Sequence, residues 1–209
     1  MAYDPQEFSQ HLLGSDVIYV KQRRELTEIL TGLETRNRFR ILSATNEELG
    51  TCAEQGRTMA GALSRNFWQR MRPFEMIGYD RSGYHTFRIT SPVQWWHRRA
   101  TIYAGHDRPI AYVQQQWGWP WRRKFQIQDR AGQMRFEVNG SIWRFWIFPI
   151  MRQGRTVAVI QKLWSGALQE LFTDADNYCL RFGDRHLTAE DRLTLLAVVS
   201  VVDFMYFER

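Results

Sequence analysis

Two stretches of this chain set tryptophan beside arginine: Trp95-Trp-His-Arg-Arg99 and Trp117-Gly-Trp-Pro-Trp-Arg-Arg-Lys124. Indole has an apolar face and one N–H donor, so it settles where water meets an apolar phase. Guanidinium offers planar, paired donors that match phosphate oxygens. Trp95, Trp96, Arg98, Arg99, Trp117, Trp119, Trp121, Arg122, Arg123 and Lys124 could therefore meet a phospholipid headgroup layer. Single-stranded nucleic acid can use the same chemistry through stacking and phosphate contact. A third reading needs no ligand: an aromatic cluster packed across neighbouring strands and capped by surface Arg. Spacing alone leaves these open, and the nucleic-acid reading rests only on charge.

A second candidate is the run Asp174-Ala-Asp176-Asn177-Tyr-Cys-Leu-Arg-Phe-Gly-Asp184-Arg185. Calcium takes roughly six to eight oxygens, which an EF-hand loop supplies from its first, third, fifth, seventh, ninth and twelfth positions, with Gly at the sixth. Counted from Asp174, the first and third positions are acids, but the fifth is Tyr178, the sixth Cys179 and the twelfth Arg185. Asp184 falls one place early. Weak calcium binding by Asp174, Asp176 and Asp184 is one expectation. The other is a turn whose Asp174, Asp176 and Asn177 accept from nearby backbone amides.

Conventional catalysis has little to work with. His11, His85, His97, His106 and His186 are scattered without HExxH spacing, and no GxSxG elbow, P-loop or GxGxxG occurs. Cys52 and Cys179 form neither a CxxC pair nor a Cys/His metal pattern. The expectation is a protein that is not a conventional enzyme and holds no structural zinc.

These candidates need a scaffold, and the texture of the chain names it. From Arg38 onward, short alternating segments are separated by turn residues such as Asp80-Arg-Ser-Gly83, Gly105-His-Asp-Arg108, Asp129-Arg-Ala-Gly132 and Arg152-Gln-Gly154. Val17–Val20, Arg38–Leu42, Leu49–Glu54, Phe74–Tyr79, Tyr84–Thr90, Arg99–Ala104, Ile110–Trp117, Lys124–Gln128, Met134–Asn139, Trp143–Phe148 and Thr156–Trp164 read as strands. About ten to twelve strands at such spacing indicate a sandwich or barrel. The stretch 23–35 fits a helix or a strand end, and 56–71 reads as a connecting loop.

The strands lead to a C-terminal helix. Thr188 can cap its start, with Asp191 three residues on. From Leu193 to Phe207 the residues are apolar nearly all round, interrupted by Thr194, Ser200 and Asp203. Such a helix must be wrapped in protein or dissolved in lipid. Its fifteen residues cover roughly 22 Å, short of a ~30 Å hydrocarbon core, and Asp203 would be costly there. The reading is a closed antiparallel β-barrel around a buried helix, with Asp203 paired to an Arg or a backbone amide. Residues 1–15 form an arm and 16–209 one domain.

Composition agrees. The chain has 209 residues, large enough for one substantial core, with 44% hydrophobic and 24% charged residues. Nine Trp, eight Tyr and thirteen Phe suit a β-rich core or an interfacial surface. The net charge is +6, and 25 of the 28 basic residues are Arg. That balance suits anionic lipid, nucleic acid or an acidic protein, unless it reflects codon preference alone. The first residues lack a signal-peptide layout, so the expected place is the cytoplasm, with peripheral association at the inner face of a membrane.

The run Trp164-Ser-Gly-Ala-Leu-Gln-Glu-Leu-Phe-Thr-Asp-Ala-Asp-Asn-Tyr178, together with Val202-Asp-Phe-Met-Tyr-Phe-Glu208, resembles the phospholipid scramblase family. Its members typically read W-x-G, then F-T-D-A-D-N-F, and close on I-D-F-M-F-F-E. Leu30-Thr-Gly-Leu-Glu-Thr-Arg-Asn-Arg-Phe39, Arg72-Pro-Phe74, Pro109-Ile-Ala-Tyr-Val113 and Lys124-Phe-Gln-Ile-Gln128 follow the family pattern in order, so the resemblance spans roughly residues 14–208. It implies a Tubby C-terminal-like fold, shared with LURP-one-related proteins. It also implies calcium-dependent, ATP-independent movement of phospholipid between leaflets, with anionic phospholipid or a membrane surface as partner. The alternative is a soluble Tubby-like module that binds anionic lipid or a protein without scrambling. Three departures stand out: no Pro-rich N-terminal extension, no palmitoylation-type cysteine run (Val93-Gln-Trp-Trp-His-Arg-Arg99 takes its place), and a stop just after the helix. The first two weaken the expectation of stable anchoring.

Overall fold

The computed structural model describes residues 6–22, 38–55, 73–92, 99–116, 123–141, 143–144, 146–163 and 177–207. The stretches 23–35 and 56–71 lie outside them. A short helix, α1 (Gln6–Gly14), precedes twelve strands: β1 (Val17–Gln22), β2 (Arg38–Ser43), β3 (Glu48–Glu54), β4 (Phe74–Asp80), β5 (His85–Ser91), β6 (Arg99–Ala104), β7 (Arg108–Gln115), β8 (Arg123–Gln128), β9 (Met134–Gly140), β10 (Ile147–Arg152), β11 (Arg155–Leu163) and β12 (Asn177–Phe182). The helix α2 (Ala189–Tyr206) follows. Every strand pairs antiparallel with its neighbour in sequence, and β1 pairs with both β2 and β12, closing the barrel.

Strand period explains the core. In β4, Phe74, Met76 and Gly78 are buried and alternate with partly exposed Glu75, Ile77 and Tyr79; β9 does the same with Phe136 and Val138. Twelve strands ~4.8 Å apart and tilted by ~35–45° close at a radius of about 11–13 Å. That is slightly more than the ~10 Å at which packed layers sit, so an axial helix lies one side-chain layer from the wall. α2 occupies that space, with every residue from Thr194 to Met205 buried. Its capping box forms as the sequence indicates: Thr188 Oγ1 accepts from Asp191 N at 3.1 Å, and Asp191 Oδ2 accepts from Thr188 N at 2.9 Å.

α1 buries Phe8 and Leu12 in the same core. Arg192 of α2 donates to the carbonyls of Leu12 (2.9 Å) and Ser15 (2.5 Å), satisfying acceptors left open where α1 ends.

Two segments differ from the sequence reading. The strand expected at Trp143 begins instead at Ile147, and Trp143–Arg144 is a turn. Continuing the inward alternation of Ile150 and Phe148 would carry Arg144 into the core, and burying that cation is prohibitive. Asn177–Phe182, read as part of an ion-binding or turn segment, is the closing strand, with Val17 opposite Arg181 and Lys21 opposite Asn177. Its acidic preface hid the alternation of Tyr178, Leu180 and Phe182.

Candidate functional site

An up-and-down barrel sorts its connections by end. At the lower end, where α2 starts, the turns are short and built from local chemistry. Asp80 Oδ1 accepts from Ser82 N (2.8 Å) and Tyr84 N (3.0 Å); Asp129 Oδ1 accepts from Ala131 N and Gln133 N, both at 2.9 Å. Gly83 and Gly132 complete these turns at φ of +83° and +77°, conformations a Cβ would strain.

The upper end, where α2 finishes, carries the longer connections. Ser91 and Arg99 bound 92–98, Gln115 and Arg123 bound 116–122, and Leu163 and Asn177 bound 164–176. Register places these strand ends on one rim: Phe74 opposite Ser91, Arg99 opposite Gln114, Arg123 opposite Gly140, Leu163 opposite Asn177. Both Trp/Arg stretches and the Asp174/Asp176 stretch are thus attached to the same end.

Trp95, Trp96, Arg98, Trp117, Trp119, Trp121, Arg122, Asp174 and Asp176 themselves lie outside the described residues. Arg99 opens β6 and is exposed. Arg123 opens β8. Lys124 follows it, its Nζ 3.0 Å from Glu137 Oε1. Hydrogen bonds from Lys124 first and Asn139 second hold the Glu137 carboxyl below its usual range. Asp184 sits at the lower end, accepting from His186 N at 2.9 Å. The six residues of β12, about 17 Å of extended chain, separate it from residue 176. Asp184 thus serves a turn at the lower end, while Asp174 and Asp176 precede β12 and lie outside the described residues. Among the described residues, no group of three or more His, Cys, Asp or Glu is placed to hold a metal ion.

The sequence reading missed a third Trp/Arg cluster on this rim. Trp143 is 88% exposed, with exposed Arg144 beside it and Trp146 two residues on. The signal was present in Trp143-Arg-Phe-Trp146, obscured by its strand-like alternation.

Below the rim the barrel holds buried polar groups. The Tyr178 phenol donates to Asp203 Oδ1 at 2.5 Å, and both residues are buried. A phenol is a partner the sequence did not announce. Lys162 Nζ lies 3.9 Å from the centre of the Phe207 ring and 5.7 Å from that of Tyr178. Burial pushes the Cys52 thiol up to about 12, against a lowering contact from Ser200.

At the lower end an ion-pair network pins the start of α2. Asp191 Oδ1 lies 2.8 Å from Arg135 Nε and 2.7 Å from an Arg152 nitrogen. Glu190 bridges Arg108 (3.0 Å) and Arg135 (3.2 Å). Both acids also stand in the first turn, where the helix dipole favours them.

The outer wall carries Arg40, Glu75, Arg88, Gln126 and Glu137, alternating with buried apolar neighbours. A barrel that spans a bilayer shows the reverse, with an apolar band outside. Neither described helix is long and apolar enough to cross a membrane.

A closed twelve-strand barrel around a buried C-terminal helix defines a protein of the Tubby-like fold. The X-ray structure of a protein from Arabidopsis thaliana has this architecture, matching 97% of this chain and 96% of its own with a TM-score of 0.52 at 12% identity, a likeness of fold alone. The family model described as Scramblase matches residues 1–209, and the chain belongs to that family. It is 29% identical to phospholipid scramblase 1 of Rattus norvegicus over 96% of this chain and 62% of the relative. With phospholipid scramblase 1 of Homo sapiens it shares 29% over 95% and 65%. With a phospholipid scramblase family protein of Schizosaccharomyces pombe it shares 27% over 95% and 61%. The chain thus spans less than two thirds of the length of each.

Proposed function

We propose that this chain contacts membrane phospholipid through the upper rim of its barrel and promotes ATP-independent movement of lipid between leaflets. The helix stays inside while it does so. The observation that carries the reading is the register that attaches both Trp/Arg stretches to one end of the barrel. Indole rings at that end would sit at the depth of the headgroups, with Arg and Lys meeting lipid phosphate. The partner is anionic phospholipid at the inner, cytoplasmic face of a membrane. Calcium acts through Asp174 and Asp176, with Asp184 left to its turn.

Reconstitution tests this. The chain is placed in vesicles of phosphatidylcholine and phosphatidylserine carrying a trace of fluorescent lipid, and dithionite bleaches the outer leaflet with and without millimolar calcium. Bleaching beyond the outer half supports scrambling. Bleaching that stops at half, with the protein still bound to vesicles, removes scrambling and leaves a lipid-binding module. Binding that ignores headgroup charge removes the Arg–phosphate contact. Calorimetry with calcium on the native chain and on Asp174→Ala tests the ion: no heat at millimolar calcium removes it.

A further inference from the structure

We infer that the barrel docks end-on, with the Trp143–Arg144 turn as its anchor in an anionic phospholipid headgroup layer; this rests on the phospholipid reading above. Trp143 is 88% exposed, whereas the other exposed large hydrophobics among the described residues range from 38% at Tyr112 to 57% at Met134. A bare indole on a turn is costly in water and suited to a membrane interface. The turn joins β9 to β10 at the end where α2 finishes.

Charge sorting between the two ends points the same way. The lower turns repeat one dipeptide, at Asp80-Arg81, Asp107-Arg108, Asp129-Arg130 and Asp184-Arg185, and Arg152 there pairs with Asp191, so most cations at that end stand beside an acid, exposed Arg155 being an exception. Among the described residues at the upper strand ends and the Trp143 turn, the exposed charges are Arg38, Arg99 and Arg144, while Glu54 is buried. Ring and cations therefore share one end, and the far end is close to balanced. A side-on approach would press the polar wall of Arg88, Gln126 and Glu137 against lipid. Trp143 has exposed Arg144 beside it and shares its rim with exposed Arg38 and Arg99, which favours lipid phosphate over the apolar surround of a protein-binding hot spot. End-on docking aims the C-terminus of α2 at the bilayer and holds the Asp129–Gly132 turn about a strand's length, ~20 Å, away from it.

The test places an environment-sensitive NBD dye on Ser141→Cys, two residues from Trp143, or on Ala131→Cys at the opposite end; both sites are exposed and the native Cys52 and Cys179 are buried. With phosphatidylcholine/phosphatidylserine vesicles, the dye at 141 brightens and shifts to the blue, while the dye at 131 does not change. Trp143→Ala weakens co-sedimentation about tenfold, and Met134→Ala at the lower end leaves it within about twofold. A response at 131, or equal responses at both sites, overturns the docking mode and leaves phospholipid binding standing. Full-strength vesicle binding by Trp143→Ala assigns the ring to a protein surface and also overturns it. Failure of the native chain to co-sediment removes this docking mode together with the reading it rests on.

Discussion

The Tyr178 phenol donates its hydrogen to Asp203 Oδ1 at 2.5 Å, tying the closing strand of the barrel to the helix inside it. The carboxylate is 5% exposed and the phenol ring 0%. Tyr178→Phe keeps the ring and removes one of the donors to Asp203 where water cannot replace it. The expected loss is about 1–3 kcal/mol of unfolding free energy, measured by urea denaturation. A change under about 0.5 kcal/mol would show that the bond contributes nothing net.

Asp191 sets an acid limit. Burial, the largest single influence, pushes its carboxyl up, but contacts from Arg152, Thr188 and Arg135 together outweigh it and hold it below the ordinary 3.8. The stability this contributes is present above 3.8 and is lost as pH falls through the lower folded value. Asp191→Asn leaves Arg152 facing a neutral group while Arg135 keeps Glu190, and costs about 1–3 kcal/mol at pH 7. Urea curves of both proteins should converge below pH 4; a gap that stays constant would exclude the carboxylate's charge as the cause.

A second pH response belongs to His85, whose ring stacks on His106 at 3.8 Å and meets the Tyr79 ring edge-on at 4.7 Å. Burial first and His106 second hold its imidazole below the ordinary 6.5. The unfolded chain therefore takes up the proton first, so stability is full above 6.5 and falls as pH drops below it. Melting temperature should decline between pH 7.5 and 5.5, and decline less in His85→Phe. Equal declines would place the response elsewhere.

Gly78 is fixed by its cross-strand neighbour. A Cβ there would lie 2.2 Å from a Phe87 ring atom, and Phe87 is 1% exposed. Gly78→Ala should cost about 1–3 kcal/mol. Adding Phe87→Leu should recover part of that loss, giving a non-additive double-mutant cycle. Simple additivity in denaturant melts would show that the clash is relieved by other means.

Much of this architecture was legible because it is local. Alternation in Phe74–Tyr79 and Met134–Asn139 marks strands at the period of the pleat. Asp129 and Gly132 supply the acceptor and the left-handed residue their turn needs, and Thr188 with Asp191 announces a helix start. The quoted stretches from Leu30 to Glu208 sufficed to indicate the family. Two misreadings, the strand begun at Trp143 and the closing strand left within an ion-binding or turn segment, arose where local pattern and global register disagree.

By itself, the sequence determined the strands, the turns and a helix with no polar face, because propensity and period act over a few residues. Only the tertiary structure decided what those elements share. Closure of β1 on β12, Arg192 reaching the carbonyl of Leu12, and Tyr178 meeting Asp203 join residues up to 180 positions apart. The same closure gathers the strand ends beside Trp95, Trp117 and Asp174 onto one rim with Trp143. Which end a loop joins follows from the count and direction of every strand before it, a property of the closed sheet that no single stretch of the chain contains.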